Sequence, residues 1–178
     1  MNIYLIGYRG SGKTTVAEQL AQRLGWYWLD ADVELERRAG KSIKEIFAES
    51  GEEAFRNQEA ETVAALATLD RHIIALGGGA ILRESNRLAI RSGKVVWLQA
   101  PVETLLARIE SDPTTNQRRP NLTAAGGNEE VRRLLAQRTP LYAQCADLSL
   151  DASQDPPQRL AEAIAQWWLA LPTAASSP

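Results

Sequence analysis

A parallel β-sheet wrapped on both faces by α-helices, a three-layer α/β fold, is the architecture that this chain of 178 residues predicts. Two patterns carry that expectation. Short apolar runs alternate with longer segments of helical period, and the apolar runs lack the polar alternation of a strand with one wet face. A glycine-rich loop between the first strand and the first helix agrees with both, because ligand loops of parallel sheets lie at strand C-termini.

The first strand is predicted at Ile3 to Ile6. After it, Val16, Leu20 and Leu24 recur every four residues with Ala17 and Ala21 beside them, which puts an apolar stripe on a helix that Gly25 ends. Further strands are predicted at Trp26 to Leu29, His72 to Leu76, Val95 to Leu98 and Leu148 to Leu150, five in all. Between the second and third, Ser42 and Glu45 read as a capping box ahead of a helical turn holding Ile46 and Phe47. A longer helix then runs from about Glu52 to Leu69, with acidic residues in its first turns, where the helix dipole favours them. Helices follow at 84–92, 102–110, 128–143 and 157–169. The segment 111–127 is different: it carries Pro113, Pro120, Gly126, Gly127 and the pair Arg118 and Arg119, without apolar periodicity. A connection this long in a compact domain is more often functional than accidental, and it reads as a mobile lid. The expected organisation is one domain over 1–172 with a frayed tail at 173–178.

Composition narrows the partners. Hydrophobic residues at 44% and charged residues at 24% exclude a disordered chain. A formal charge of -2 provides no bulk positive field, so neither nucleic acid nor an anionic membrane is an expected partner, and any bound anion must be captured locally. No apolar stretch approaches the roughly 18 residues of a membrane span, and the run Ile3 to Ile6 is too short for a signal peptide. Cys145 is the single cysteine, which rules out an internal disulfide framework and makes the cytoplasm the default expectation.

The strongest chemical signal is Gly7-Tyr8-Arg9-Gly10-Ser11-Gly12-Lys13-Thr14, a match to G-x-x-x-x-G-K-[ST] between strand and amphipathic helix. Polyphosphate oxygens need several backbone N–H groups converging on one point, so the chain must curl closely and offer a helix N-terminus. Lys13 then supplies a point charge to the terminal phosphates and the Thr14 hydroxyl a ligand for magnesium. No [NT]-K-x-D or D-x-x-G string occurs, which argues against a GTPase switch. A motor ATPase would carry an acid at the end of an apolar strand, whereas the third strand runs out into Gly77-Gly78-Gly79.

Asp30 and Asp32, at the end of the second strand, are the candidate replacements for that acid. Asp30 could hold magnesium with Thr14, and Asp32 could accept the proton of an attacking hydroxyl; alternatively, Asp32 simply caps a helix starting near Val33. Gly77 to Gly79 could be an ordinary strand-to-helix turn or the floor of a second substrate site. Arg56 could pair with Glu52 or Glu53 on its own helix, and position alone does not single out Arg119 or Arg138. His72 and Cys145 read as structural, and Trp26, Trp28, Trp167 and Trp168 as packing residues.

Together these features resemble the shikimate kinase family, within the nucleoside monophosphate kinase group of P-loop folds. The resemblance runs to about residue 155 and is carried by Gly10 to Thr14, Leu29-Asp30-Ala31-Asp32, Gly51-Glu52-Glu53-Ala54-Phe55-Arg56, Gly77 to Ala80, Arg119-Pro120 and Arg138 to Tyr142. It implies strand order 2-3-1-4-5 and ATP-dependent phosphorylation of the 3-hydroxyl of shikimate. Gly10, Ser11, Gly12, Lys13, Thr14, Thr15 and Arg119 would then bind ATP, with Mg2+ held by Thr14 and Asp30. Asp32, Arg56, Gly78 and Arg138 would bind shikimate, the two arginines clamping its carboxylate. Lys13, Asp32 and Arg119 would be catalytic, Arg119 swinging in with the lid. The resemblance further implies an acceptor-binding segment at about 31–60, ATP and shikimate as the only partners, and a monomer. Asn121, where family members commonly have leucine, is a departure, and no residue near Ser153-Gln154-Asp155 is assigned to adenine. A gluconate or nucleotide kinase of the same build, and a nucleotide-binding regulatory module, are the competing readings.

Overall fold

The computed structural model describes residues 1–111 and 127–172. Arg119, Asn121, nearly all of the expected lid and the expected tail therefore lie outside the described residues. Five strands, β1 (Ile3–Ile6), β2 (Tyr27–Asp30), β3 (His72–Ala75), β4 (Lys94–Gln99) and β5 (Leu148–Asp151), form one sheet in the order β2-β3-β1-β4-β5. Every pairing is parallel. The helices are α1 (Lys13–Leu24), α2 (Ala31–Ala39), α3 (Ile43–Ala67), α4 (Glu84–Ile90), α5 (Val102–Ser111), α6 (Gly127–Cys145) and α7 (Pro157–Ala170).

The apolar strands are covered on both sides, as expected for a parallel sheet. On one face Ile3, Leu5, Ile73, Val96 and Leu98 pack with Val16, Leu20, Leu160 and Ile164 of α1 and α7. On the other, Tyr4, Ile6, Ile74, Val95 and Trp97 pack with Val63, Leu66, Ile90 and Tyr142. The stripe of Val16, Ala17, Leu20 and Ala21 is the buried face of α1, and Gly25 caps that helix in a left-handed conformation. Trp26 meets Trp168 edge-on at 5.1 Å, so both serve packing. His72 bonds through Nδ1 to the Asp70 carbonyl and stacks on Tyr27, a structural role. Cys145 is half-buried against the second core.

Several expectations need correction. The second strand begins and ends one residue later than predicted, and it is not covered on both faces: Tyr27 is exposed because β2 is a sheet edge. The helix after it starts at Ala31, and its cap is Asp30, not Asp32. The Asp30 carboxylate accepts from the backbone N–H groups of Asp32 and Val33. The capping box is present as predicted, with Ser42 and Glu45 each accepting from the other's backbone N–H. The helical turn that it opens and the longer helix after it form one element, α3, broken at Gly51, where φ is 77°. The longer part ends at Ala67 rather than Leu69, and α4 stops at Ile90. Among the described residues, no helix is long and apolar enough to cross a membrane.

Candidate active site

The site is assembled from loops that leave the same edge of the sheet. In register, Asp30 of β2 aligns with Ala75 of β3, and Ala75 aligns with Leu5 of β1. The phosphate loop, the Gly77 to Gly79 turn and the two aspartates therefore emerge side by side from three adjacent strands. Strand C-termini of a parallel sheet are where such ligands lie.

Gly7 shows why the loop needs glycine. Its φ is 142°, and a Cβ there would stand 2.5 Å from the Leu98 carbonyl oxygen. Lys13 curls back across the loop and donates to the carbonyl oxygens of Gly7 and Tyr8, at 2.9 Å each. Its ammonium is thereby held over the cradle that the Gly10 to Thr14 backbone lines. Ser11 is buried, whereas Thr14 and Thr15, on the first turn of α1, face solvent. From α5, Arg108 donates to the carbonyls of Gly10 and Ala152, tying the loop to the end of β5.

Asp30 makes two kinds of contact. The Thr14 hydroxyl donates to Asp30 Oδ2 at 2.9 Å, while Asp30 Oδ1 caps α2. Asp30 thus links the nucleotide loop to the helix that carries Asp32. Among the described residues, no group of three or more His, Cys, Asp or Glu side chains could hold a metal ion by protein ligands alone. One hydroxyl paired with one carboxylate is the donor set that magnesium takes when phosphate and water fill its remaining positions, so Thr14 and Asp30 fit that ion.

Arg56 and Arg138 arrive from α3 and α6, far apart in sequence, and converge on neighbouring glycines. Arg138 donates to the Gly78 carbonyl at 3.3 Å. The Arg56 guanidinium lies against Gly79 so closely that a Cβ there would sit 2.6 Å from one of its nitrogens. Both arginines are buried, at 8% and 5% exposed, which is rare for this side chain and means that little water competes for their N–H groups. Arg56 is paired with Glu59 at 2.9 Å and with Glu52 at 3.2 Å. The predicted partner Glu53 instead binds Arg83.

Glu59 and Tyr142 were missed in the sequence. Glu59 sits one helical turn beyond Arg56, a spacing that marked it as a possible partner but gave no sign of its burial. The Tyr142 hydroxyl donates to the Gly78 carbonyl and fixes the floor from below. It lies one turn after Arg138 on the same helix. No signal in the sequence pointed to Arg108. Of the residues singled out, Lys13, Thr14 and Asp30 are joined at the loop, and Arg56, Gly78 and Arg138 are joined at the floor. Asp32 lies on the first turn of α2 beside its cap.

The phosphate loop and the arginine-flanked glycine turn are thus built from separate segments beside one another, an arrangement that suits a small-molecule kinase of the P-loop class. A family model described as shikimate kinase matches residues 9–168. The chain is similar to shikimate kinase from Rhodopirellula baltica, at 47% identity over 153 residues, 85% of this chain and 82% of that one. It is also similar to shikimate kinase from Trichormus variabilis, at 42% over 167 residues, 93% of this chain and 90% of the other. A solved structure of shikimate kinase from Acinetobacter baumannii in complex with shikimate superposes with a TM-score of 0.88 at 38% identity, covering 95% and 93% of the two chains. The chain belongs to the shikimate kinase family.

Proposed function

We propose that the chain transfers the terminal phosphoryl group of ATP to the 3-hydroxyl of shikimate, giving shikimate 3-phosphate and ADP. The observation that carries this reading is the meeting of two buried guanidiniums, Arg56 and Arg138, at Gly78 and Gly79, beside the phosphate loop. Planar guanidiniums pair with a carboxylate through parallel hydrogen bonds, so a floor flanked by two of them selects an acidic polyol over a neutral sugar.

In the reaction the hydroxyl oxygen forms a bond to the terminal phosphorus as the bond from that phosphorus to the bridging oxygen of ADP breaks. The hydroxyl proton passes to the Asp32 carboxylate, which also orients the acceptor. The Gly10 to Thr15 amides hold the phosphates, and Lys13 leaves its carbonyl partners to meet them. Thr14 and Asp30 would hold Mg2+, which supplies charge neutralisation on the phosphate oxygens when bound. Arg119 enters the reading through the family resemblance alone, as a further cation for the phosphates. One domain with an acceptor-binding segment at 31–60 is consistent with α2 and α3 packing on each other around Leu35, Ile43, Ile46 and Phe55. A cytoplasmic location suits a chain that consumes ATP and keeps Cys145 as a free thiol.

The test is ADP release in a coupled assay with magnesium and ATP, comparing shikimate, gluconate, AMP and water as acceptors. Release with shikimate alone is expected. Turnover with gluconate or AMP instead would move the chain to another small-molecule kinase, and no ADP release with any of the acceptors would make it a nucleotide-binding module.

A further inference from the structure

The phosphate loop carries Tyr8 and Arg9 at two of its variable positions, and the reaction described above uses neither side chain. Tyr8 does not face solvent. It is 3% exposed and packs with Leu105, Ile109 and Val131, under α5 and α6. The guanidinium carbon of Arg138 lies over its ring, 5.4 Å from the centroid, and that of Arg9 lies at 6.0 Å. Both distances fall within the range in which a cation is drawn to the electron-rich face of an aromatic ring, and the attraction grows when water is excluded. Arg138 is 5% exposed, so water is largely excluded there. Its bond to the Gly78 carbonyl is long, at 3.3 Å, and that carbonyl is shared with the Tyr142 hydroxyl. The ring is thus a principal surface against which this guanidinium rests.

Burial pushes the Tyr8 hydroxyl pKa up, the neighbouring Arg9 and Arg138 charges oppose the rise, and the buried Glu130 carboxylate of α6 adds to it. The phenol accordingly stays neutral at ordinary pH and offers Arg138 a neutral aromatic face, not a phenolate. A neutral face can orient a guanidinium without neutralising it.

We propose that Tyr8 is a positioning residue for the acceptor clamp: its ring face holds the Arg138 guanidinium at Gly78, so the loop that cradles the donor also orients the group that grips the acceptor. The inference rests on the assignment of Arg138 to the acceptor carboxylate. Tyr8 acts through Arg138 and touches neither substrate.

The experiment separates ring electrostatics from ring shape. Half-saturation by shikimate and by ATP is measured for the unmodified chain, for Tyr8→Phe, and for Tyr8→pentafluorophenylalanine, which keeps the shape but removes the negative face. Tyr8→Phe should stay within about twofold for shikimate, whereas the fluorinated ring should raise its half-saturation roughly 5- to 30-fold with that for ATP unmoved. Equal values for the two rings, or a parallel rise for ATP, would overturn the proposal. A double-mutant cycle of Tyr8→Met with Arg138→Lys covers the case in which the fluorinated chain does not fold: non-additive losses are expected, and simple additivity overturns the coupling. If the unmodified chain does not turn over shikimate at all, the acceptor assignment fails first and this inference goes with it.

Discussion

Gly79→Ala is the perturbation that most cleanly isolates the proposed acceptor floor. The backbone at Gly79 has φ -101°, which alanine adopts without strain, so in the folded state the substitution acts only through its methyl group. That methyl carbon would lie 2.6, 2.9 and 3.1 Å from the two terminal nitrogens and the central carbon of the Arg56 guanidinium. Relief requires the nearest nitrogen to retreat to at least 3.4 Å, where ordinary contact begins. The obstacle is the far end of a long side chain, so the fold can yield. Removing a glycine also lowers the entropy of the unfolded chain, which offsets part of any loss by about 0.4–1 kcal/mol. The melting temperature should therefore move by no more than about 3 °C. The displaced guanidinium is a different matter. A shift of that size spoils one of its charge-assisted hydrogen bonds to a carboxylate, worth about 1.5–3 kcal/mol, so half-saturation by shikimate should rise roughly 10- to 100-fold. Half-saturation by ATP should not change. Steady-state kinetics with each substrate varied in turn, alongside a thermal melt, gives all three numbers. A melting temperature lowered by 10 °C or more, or shikimate half-saturation within twofold of the unmodified chain, would refute the reasoning.

Three further outcomes follow from the same geometry. Asp32→Asn should lower turnover by about 10²–10⁴-fold while nucleotide binding, followed by calorimetry, persists, since the amide cannot take a proton; near-normal turnover would remove Asp32 from the chemistry. Asp30→Asn keeps an oxygen to cap α2 and should leave chemical denaturation within about 0.5 kcal/mol of the parent but raise the magnesium requirement, whereas Asp30→Ala should in addition lose about 1 kcal/mol. Equal stability for the two would contradict the capping role. Glu34 is held down to a pKa of about 2, from 4.5, by hydrogen bonds from Arg37 and Arg38. Because the folded value is depressed, its contribution is complete above about pH 4.5 and is lost as pH falls through about 2. The bonds lie at the surface, so Glu34→Gln should flatten the acid limb of a stability–pH curve by no more than about 1 kcal/mol. A difference that persists unchanged at pH 2 would contradict that origin.

The layering of the fold was open to reading because burial on both faces leaves its trace in composition: β1, β3 and β4 are continuous apolar runs, and α1 shows one stripe. The edge strand β2 was harder, since Tyr27 and Trp28 are aromatic for reasons unrelated to a second covering layer. The boundary there turned on which aspartate caps α2, and two acids separated by one residue look alike until the backbone is traced. The phosphate loop was legible because its chemistry demands a fixed local spacing. The proposed acceptor floor was legible only through the family resemblance and not from position, because Arg56 and Arg138 are 82 residues apart and come together only when α3 and α6 pack on the same face of the sheet. Burial of Glu59, and the approach of the Arg138 guanidinium to the Tyr8 ring, belong to the same class of long-range fact. They depend on packing between elements, to which no periodicity along the chain is sensitive.

The most direct measurement is a crystal structure with shikimate and magnesium ADP bound together. The account predicts the acceptor carboxylate between Arg56 and Arg138, and the 3-hydroxyl oxygen about 2.6–3.2 Å from an Asp32 carboxylate oxygen, on the side facing the terminal phosphate of the nucleotide. A carboxylate bound elsewhere, or a hydroxyl out of reach of Asp32, would contradict it.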